Sequence, residues 1–252
     1  MEYTLKKSLG QHFLKDEKIC LSIVDAIPKC ERLVEVGPGA GAITKYILQK
    51  SGFDFKAVEL DDEKVAYLEK TYPSIKGKIV HESILDCAPP FMDPFTVVGN
   101  FPYNISSQIL FKCLDYRHQV QEIMGMFQKE VAVRVAEKPG KKEYGIISVL
   151  LQTFYDIEYC FTVNEDVFDP PPKVKSGVIR CTRNERTSLP CDEKLFIQVV
   201  KTAFNQRRKT MRNSLKSMTK GHELPEEFSQ QRPERLSVEA FIRLTEFIER
   251  LV

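Results

Sequence analysis

The sequence predicts an α/β fold, in which a mostly parallel sheet carries helices on both faces, followed by a small all-helical region. Strand-like and helix-like segments alternate regularly from the N-terminal part up to Tyr103, which is typical of a parallel sheet. Residues 184–190 are polar and loop-like, and only helical patterns follow them. We therefore expect two domains, residues 1–187 and residues 188–252.

The elements follow from local signals. Asp16 is a predicted N-cap of a helix that ends before Pro28. Residues 146–151 are apolar and fit a helix or a strand equally well. Strands are predicted at 33–36, 55–59, 79–81, 97–99, 122–127, 155–163 and 176–181. Helices are predicted from the glycines at 37–41 to about residue 50, and at 63–71, 105–114, 129–136, 193–204, 209–218 and 238–251.

The composition is that of an ordinary globular protein, with 42% hydrophobic and 29% charged residues and a formal net charge of +2. No apolar run is long enough to cross a bilayer, and the N-terminus lacks a secretory signal. The seven cysteines are scattered and never have Cys-x-x-Cys spacing. This pattern argues against disulfides and a zinc site, and it favours a cytoplasmic location.

A glycine turn between a strand and a helix indicates a nucleotide site. Gly-Pro-Gly-Ala-Gly at 37–41 lets the backbone approach a ligand closely, and the next predicted strand ends on Glu59. An acid at that spacing accepts hydrogen bonds from ribose hydroxyls. Asp86, beyond the third strand, is either an acceptor for an adenine amino group or an Asx-turn acid. Because no Gly-Lys-[Ser/Thr] follows the turn, an adenosine ligand without pyrophosphate, or a dinucleotide, is favoured over a triphosphate.

A second turn, Asn100-Phe101-Pro102-Tyr103, ends a buried strand. Ligands bind at the carboxyl ends of strands in such sheets. The Asn100 amide, the Phe101 carbonyl and the Tyr103 ring together suit a planar ligand that bears an amino group, such as a nucleobase. The alternative is that Asn100 only caps the helix that follows.

Two further segments allow more than one interpretation. Phe168 precedes a proline run that is either a solvated connector or one wall of a base pocket. His12, beside Phe13, is either a ligand contact or a packed structural residue.

The C-terminal region contains a long basic stretch. Residues 196–222 include no acid, which is typical of phosphate binding although a solvated face is the alternative. The seven bases in this stretch are Lys201, Arg207, Arg208, Lys209, Arg212, Lys216 and Lys220.

Together these motifs resemble the ribosomal RNA adenine N6,N6-dimethyltransferase family, and more closely its small-subunit (KsgA-type) branch, over nearly the whole chain. The segments at 168–174 and 204–215 are the most specific. The matching motifs are Gly-Gln-His-Phe-Leu at 10–14, Val-Glu-Val-Gly-Pro-Gly-Ala-Gly at 34–41, Val-Glu-Leu-Asp at 58–61, Asp86, Asn-Phe-Pro-Tyr at 100–103, Phe-Asp-Pro-Pro-Pro-Lys-Val at 168–174, and Phe-Asn-Gln-Arg-Arg-Lys-Thr-Met-Arg-Asn-Ser-Leu at 204–215.

The resemblance implies a class I S-adenosylmethionine-dependent methyltransferase fold. It also implies N6,N6-dimethylation of two adjacent adenosines in the 3′-terminal stem-loop of small-subunit (16S) ribosomal RNA within a pre-30S particle, by a monomer without a metal. His12 stands where the family often has Asn, and Phe101 where it has Leu. The implied residues are His12, Leu14, Gly37, Glu59, Asp86 and Asn100 for S-adenosylmethionine; Asn100, Phe101, Tyr103 and Phe168 for catalysis; and Arg207, Arg208, Lys209 and Arg212 for RNA.

Two other functions compete with this one. The first is a non-catalytic RNA-binding assembly factor that keeps a methyltransferase fold, which the intact site residues argue against. The second is a DNA or protein methyltransferase of the Asn-Pro-Pro-Tyr type, which the basic helical region argues against.

Overall fold

The structure, a computed structural model, describes residues 12–251, so Gly10 and Gln11 of the N-terminal motif lie outside the described residues. Its strands are β1 (Phe13–Leu14), β2 (Arg32–Val36), β3 (Asp54–Val58), β4 (Ile79–Val80), β5 (Phe95–Asn100), β6 (Val120–Gln128), β7 (Tyr155–Val163), β8 (Phe168–Asp169) and β9 (Ser176–Arg183). Its α-helices are α1 (Glu17–Asp25), α2 (Thr44–Ile47), α3 (Asp62–Thr71), α4 (Ser106–Asp115), α5 (Lys129–Ala136), α6 (Ile146–Gln152), α7 (Glu193–Asn205), α8 (Met211–Ser214), α9 (Glu226–Ser229) and α10 (Val238–Glu249).

A seven-stranded sheet forms the centre of the fold, in the order β4-β3-β2-β5-β6-β9-β7. The five strands from β4 to β6 run parallel, whereas β9 pairs antiparallel with β6. The predicted mostly parallel sheet is therefore confirmed. A separate antiparallel pair joins β1 to β8, with Leu14 opposite Phe168.

Local capping explains where two of the helices begin. The Asp16 side chain accepts hydrogen bonds from the N–H groups of Lys18 (2.8 Å) and Ile19 (3.1 Å), so the predicted N-cap of α1 is confirmed. Asp61 caps α3 in the same way, through the N–H of Glu63. No helix within residues 12–251 is long and apolar enough to cross a membrane.

Two predicted helices are much shorter than their sequence patterns indicate. After α2 the backbone hydrogen bonds join residues three apart instead of four, as in a 3₁₀-helix. They run from Gln49 N–H to the Tyr46 carbonyl and from Lys50 N–H to the Ile47 carbonyl. Of the predicted helix at 209–218, only α8 is α-helical. There Gln206 Nε2 donates to the Ser214 carbonyl (3.0 Å), which removes an acceptor that a longer helix needs.

Contacts divide the described chain into two compact units. The first holds the sheet and comprises residues 12–132 and Asp156–Arg183, and the second comprises Val133–Tyr155 and residues 184–251. In the second unit α6 packs against α7 and α10, which groups this middle segment with the C-terminal helices. That residues 1–187 and 188–252 are separate domains stays a prediction.

Candidate active site

A cavity of about 250 Å³ lies where β2, β3, β4 and β5 end. Since these four strands are parallel neighbours, the residues that follow them meet at one edge of the sheet. The cavity brings together most of the predicted site residues: His12, Leu14, Gly37, Glu59, Asn100, Phe101 and Tyr103. Asp86 and Phe168 do not line it.

The glycine turn at 37–41 and Glu59 form one end of the cavity, the glycine-loop end. Gly37, Gly39 and Gly41 have φ angles of 66°, 57° and 82°, which side-chain-bearing residues rarely adopt. A Cβ atom built on Gly37 would lie 3.6 Å from Pro102 Cδ. The loop therefore packs directly against the second turn.

The Glu59 carboxylate organises the glycine-loop end. Its Oε2 accepts from the N–H of Gly39 (3.0 Å), and its Oε1 accepts from the N–H groups of Leu60 (2.9 Å) and Asp61 (3.0 Å). A carboxylate offers about four lone-pair sites, so these three bonds leave room for a further donor. Glu59 thus holds the loop in place and keeps capacity for a ligand hydroxyl.

Glu35, in β2, is a second acid on the cavity wall, and sequence patterning did not single it out. Its side chain is 0% exposed, and neither carboxylate oxygen has a hydrogen-bond partner among the described residues. Burial raises the pKa of this carboxyl to about 8; the Glu59 charge adds to the effect, and the neighbouring Thr44 hydroxyl opposes it. The sequence feature that could have identified Glu35 is its position as an acid inside the predicted strand at 33–36.

Further unpredicted residues complete the wall near β3 and β4. Leu60 is 55% exposed and Ile84 is half-buried, and both line the cavity with apolar surface. The buried side chain of Lys64 lines the same wall.

Glu82, rather than Asp86, is the acid that reaches the cavity from the segment after β4. Because β4 ends at Val80, Glu82 lies directly beyond the strand end. Asp86 sits further along, in an exposed turn where its N–H donates to the Ser83 carbonyl (3.0 Å). The structure therefore does not support Asp86 as a cavity residue.

Residues 100–103 form the opposite end of the cavity, the turn end. The N-cap of α4 is Ile105, so the helix-cap interpretation of Asn100 is wrong. Asn100 Nδ2 donates to the His12 carbonyl (3.4 Å). Since a carbonyl can only accept, this bond leaves Asn100 Oδ1 as an acceptor, and neither it nor the Phe101 carbonyl has a hydrogen-bond partner within residues 12–251.

The Phe101 ring anchors the turn in the sheet. A Cβ atom built on Gly99 would lie 2.8 Å from this ring, and one built on Gly125 would lie 2.0 Å from it. The ring occupies the space that both glycines leave and packs on Phe127 at a centroid distance of 4.9 Å. Replacement of the family's Leu by Phe is therefore accommodated by packing beneath the turn.

Tyr103 is held from two sides. Its hydroxyl shares a hydrogen bond of 2.5 Å with Ser176, and the His12 ring lies 5.6 Å from its ring at 31°. Burial raises the pKa of the Tyr103 hydroxyl, and the bond to Ser176 opposes that shift. His12 Nδ1 in turn donates to the Pro170 carbonyl (2.8 Å). In this structure His12 therefore supports the turn end.

Phe168 is 0% exposed and belongs to the hydrophobic core together with Leu14, Met126 and Val178. The pairing of β1 with β8 places it beside Leu14 of the N-terminal strand. Its proposed contact with a base stays a prediction.

The sequence matches the family model of ribosomal RNA adenine dimethylase over residues 2–249. The chain belongs to this family. The resemblance inferred from the motifs is therefore confirmed. A curated family relative, the ribosomal RNA small subunit methyltransferase A of Cytophaga hutchinsonii, is 53% identical over 251 residues, which cover 96% of each chain.

Solved structures agree with this family assignment at the level of the fold. A dimethyladenosine transferase from Plasmodium falciparum has a TM-score of 0.81 and 21% identity, over 95% of this chain and 98% of that one. The 23S rRNA methyltransferase ErmE has a TM-score of 0.70 and 21% identity, over 94% and 99%. The class I methyltransferase fold predicted for this family member is confirmed.

The predicted RNA-binding residues of this dimethylase family member lie in the second unit, where Arg207, Arg208 and Lys209 follow α7 and Arg212 belongs to α8. Arg208, Lys209 and Arg212 are exposed, whereas Arg207 is partly buried. Within the described part of the chain, no group of three or more His, Cys, Asp or Glu side chains is arranged to hold a metal ion.

Proposed function

We propose that this protein transfers methyl groups from S-adenosylmethionine to N6 of two adjacent adenosines in the 3′-terminal stem-loop of small-subunit ribosomal RNA. The observation that carries the proposal is the pair of unused acceptors, Asn100 Oδ1 and the Phe101 carbonyl, beside the Tyr103 ring. The names of the family and of its relatives support the RNA substrate.

The cavity residues fit S-adenosylmethionine, which supplies an activated methyl group on a positively charged sulfur. The unpartnered, buried Glu35 carboxyl suits the positive charges of the methionine part. Glu59 keeps acceptor capacity for the ribose hydroxyls. Glu82, in place of the predicted Asp86, serves the adenine amino group, with Leu60 and Ile84 as apolar faces.

The turn end suits the difficult part of the reaction. The N6 lone pair of adenine is delocalised into the ring, so the nitrogen is a weak nucleophile until it becomes pyramidal. Asn100 Oδ1 and the Phe101 carbonyl accept from the two N6–H groups, and this favours the positive charge that develops on nitrogen. Because the acceptors are fixed beforehand by the His12 carbonyl and the buried Phe101 ring, no reorganisation is needed.

The target base is held by stacking. The Tyr103 ring, fixed by Ser176 and His12, provides one aromatic face, worth about 1–3 kcal/mol per stacked base. Phe168 is the proposed second aromatic face. Because its ring is buried in the core of this structure, stacking on it requires the base to reach a covered ring. Arg207, Arg208, Lys209 and Arg212 supply charge for RNA phosphates.

The cellular setting is part of the same proposal. The protein acts as a monomer in the cytoplasm on a pre-30S particle, with a role in small-subunit biogenesis and without a metal ion.

Mass spectrometry of small-subunit RNA, incubated with the protein and isotope-labelled S-adenosylmethionine, tests the function. We expect labelled N6,N6-dimethyladenosine at two neighbouring positions near the 3′ end. RNA that is bound but never labelled supports the assembly-factor alternative. Label on DNA or protein, with none on the RNA in competition, supports the Asn-Pro-Pro-Tyr type.

A further inference from the structure

Arg207 connects its own basic segment to the basic loop at 138–142, which lies far away in the sequence but in the same unit. Its Nη2 donates to the Lys142 carbonyl, and its Nε lies 3.9 Å from Glu234 Oε2. The Gly140 N–H also donates to the Glu234 carbonyl (2.6 Å). The loop at 138–142 is thus attached both to the segment that begins at Arg207 and to the segment around Glu234.

The segment around Glu234, residues 232–235, is the third basic segment in this region. A Cβ atom on Gly140 would lie 3.6 Å from Arg235 Nη1, and the Met211 N–H donates to the Gln231 carbonyl (2.8 Å). We call residues 138–142, 207–212 and 232–235 the tied basic surface. It contains nine bases and one acid, Glu234, which already faces Arg207. The bases are Lys138, Lys141, Lys142, Arg207, Arg208, Lys209, Arg212, Arg232 and Arg235.

The bases of this surface are in two different states. Arg207 is engaged by Lys142 and Glu234 and is partly buried. The other eight are exposed, and within residues 12–251 none of them forms an ion pair. The large exposed apolar side chains of the described chain all lie elsewhere. Charge without apolar surface fits a phosphate backbone better than a protein or a membrane.

We propose that the tied basic surface is one phosphate-binding surface for RNA, in which Arg207 is a positioning residue and Lys138, Lys141 and Lys142 are phosphate contacts. This inference rests on the proposed function and extends it. It adds the 138–142 loop to the RNA footprint predicted at 207–212. It also changes the role of Arg207, whose guanidinium fork holds the loop against the second segment instead of binding phosphate.

The test measures binding of the full-length variants to an unmodified, labelled 3′-terminal fragment of small-subunit RNA over a range of salt concentrations. We expect K141A/K142A to bind several-fold more weakly, with a salt slope smaller by about 0.7 per lost contact. The matched control is K194A/R250A, at the other end of α7, where the Asp192 N–H donates to Glu249 (3.1 Å). It should lose less affinity, and cofactor affinity should stay unchanged in both.

Arg207 is tested by a conservative substitution and by a double-mutant cycle. R207K keeps the charge but cannot bridge Lys142 and Glu234 as a fork, so we expect it to bind RNA as weakly as R207A. We also expect R207A to add little to K141A/K142A, because the loop then has fewer charges to position. Full RNA affinity in R207K would overturn the positioning role.

Wild-type affinity and an unchanged salt slope in K141A/K142A would overturn the surface itself. Methyl transfer by the wild-type protein to the same fragment separates this inference from the proposed function. Transfer together with unaltered binding by K141A/K142A refutes only the surface, whereas RNA binding without transfer refutes the catalytic proposal and leaves the surface in place.

Discussion

The glycine-loop end and the turn end of the cavity differ in how far the protein satisfies its own polar groups. At the glycine-loop end Glu59 accepts three backbone N–H bonds, so loop and acid hold each other. At the turn end Asn100 Oδ1 and the Phe101 carbonyl accept none within residues 12–251, although their positions are fixed from behind.

This difference indicates a division of labour. Groups that are already satisfied change little when a ligand arrives, so they suit binding and recognition. Acceptors that are held in place without a donor gain most when a partner develops positive charge, so they suit the transition state. Glu35 is the exception at the glycine-loop end, since its buried carboxyl has no partner there.

The largest expected effect concerns Phe168, because the structure places it in the core and the family resemblance places it at the turn end. We expect Phe168→Ala to lower the free energy of unfolding by about 3–5 kcal/mol, since it removes a fully buried ring. Thermal and denaturant unfolding measure this, with the half-buried Tyr103→Ala as the control of smaller effect. A stable Phe168→Leu variant that no longer transfers methyl groups would support Phe168 as the second face of the base pocket.

The second prediction concerns the turn end. Asn100→Ala should lower single-turnover methyl transfer by roughly a hundred- to a thousandfold, because it removes one fixed acceptor for the N6–H groups. RNA affinity should barely change, since phosphate contacts dominate it. Asn104→Ala, an exposed residue of the same type on the cavity wall, is the matched control and should stay within a few-fold of wild type.

The third prediction concerns the glycine-loop end. Glu59→Gln places an amide NH₂ group against backbone N–H donors, so the loop loses an acceptor and the ribose loses its site. We expect cofactor affinity to fall by about 1–3 kcal/mol, as measured by calorimetry. Unchanged affinity in a folded Glu59→Gln protein would remove Glu59 from the cofactor site.

A smaller effect separates two acids after β4. Glu82→Gln should weaken cofactor binding several-fold, because an exposed acid on the cavity wall makes a partly screened contact. Asp86→Asn should leave binding unchanged. The reverse order of the two effects would return the adenine contact to Asp86, as the family resemblance implied.

The smallest expected effect is the release of a proton when the cofactor binds. The pKa of Glu35 in the folded protein, about 8, lies above the ordinary value of 4.5, so its carboxyl holds a proton at pH 7. A positive ligand favours the carboxylate, and cofactor binding at pH 7 should therefore release up to about one proton. Calorimetry in buffers of different ionisation enthalpy measures this release, and Glu35→Gln should abolish it. Equal proton release by both proteins would exclude Glu35 as the donor.

The same shift has a consequence for the ligand-free protein. Because the folded pKa is raised, the unfolded chain loses its proton first as the pH increases. Glu35 therefore lowers stability progressively from about pH 4.5 to about pH 8. Below this window the group contributes no pH dependence.

Much of the first unit could be predicted because its signals are local. Apolar strands and the cap at Asp16 are read within a few residues, and the strand ends place Glu59 and Asn100 at one edge. Asp86 could not be placed, because the direction of the turn after β4 decides whether Glu82 or Asp86 faces the cavity.

Other features depend on contacts between distant segments. The grouping of Val133–Tyr155 with the C-terminal helices comes from packing of α6 on α7 and α10. The hydrogen bond from Arg207 to the Lys142 carbonyl likewise cannot be predicted from a run of basic residues in the sequence. Glu35 was readable in principle, because an acid inside a buried strand needs a partner or a role.

The most direct test of the division of labour is single-turnover methyl transfer by Asn100→Ala and Glu59→Gln at rising S-adenosylmethionine concentration and saturating RNA. We predict that Glu59→Gln approaches the wild-type rate once the cofactor saturates, whereas Asn100→Ala stays roughly a hundredfold or more slower at every concentration. If Asn100→Ala instead recovers at high cofactor concentration, or Glu59→Gln stays slow there, the assignment of chemistry to the turn end and binding to the glycine-loop end is wrong.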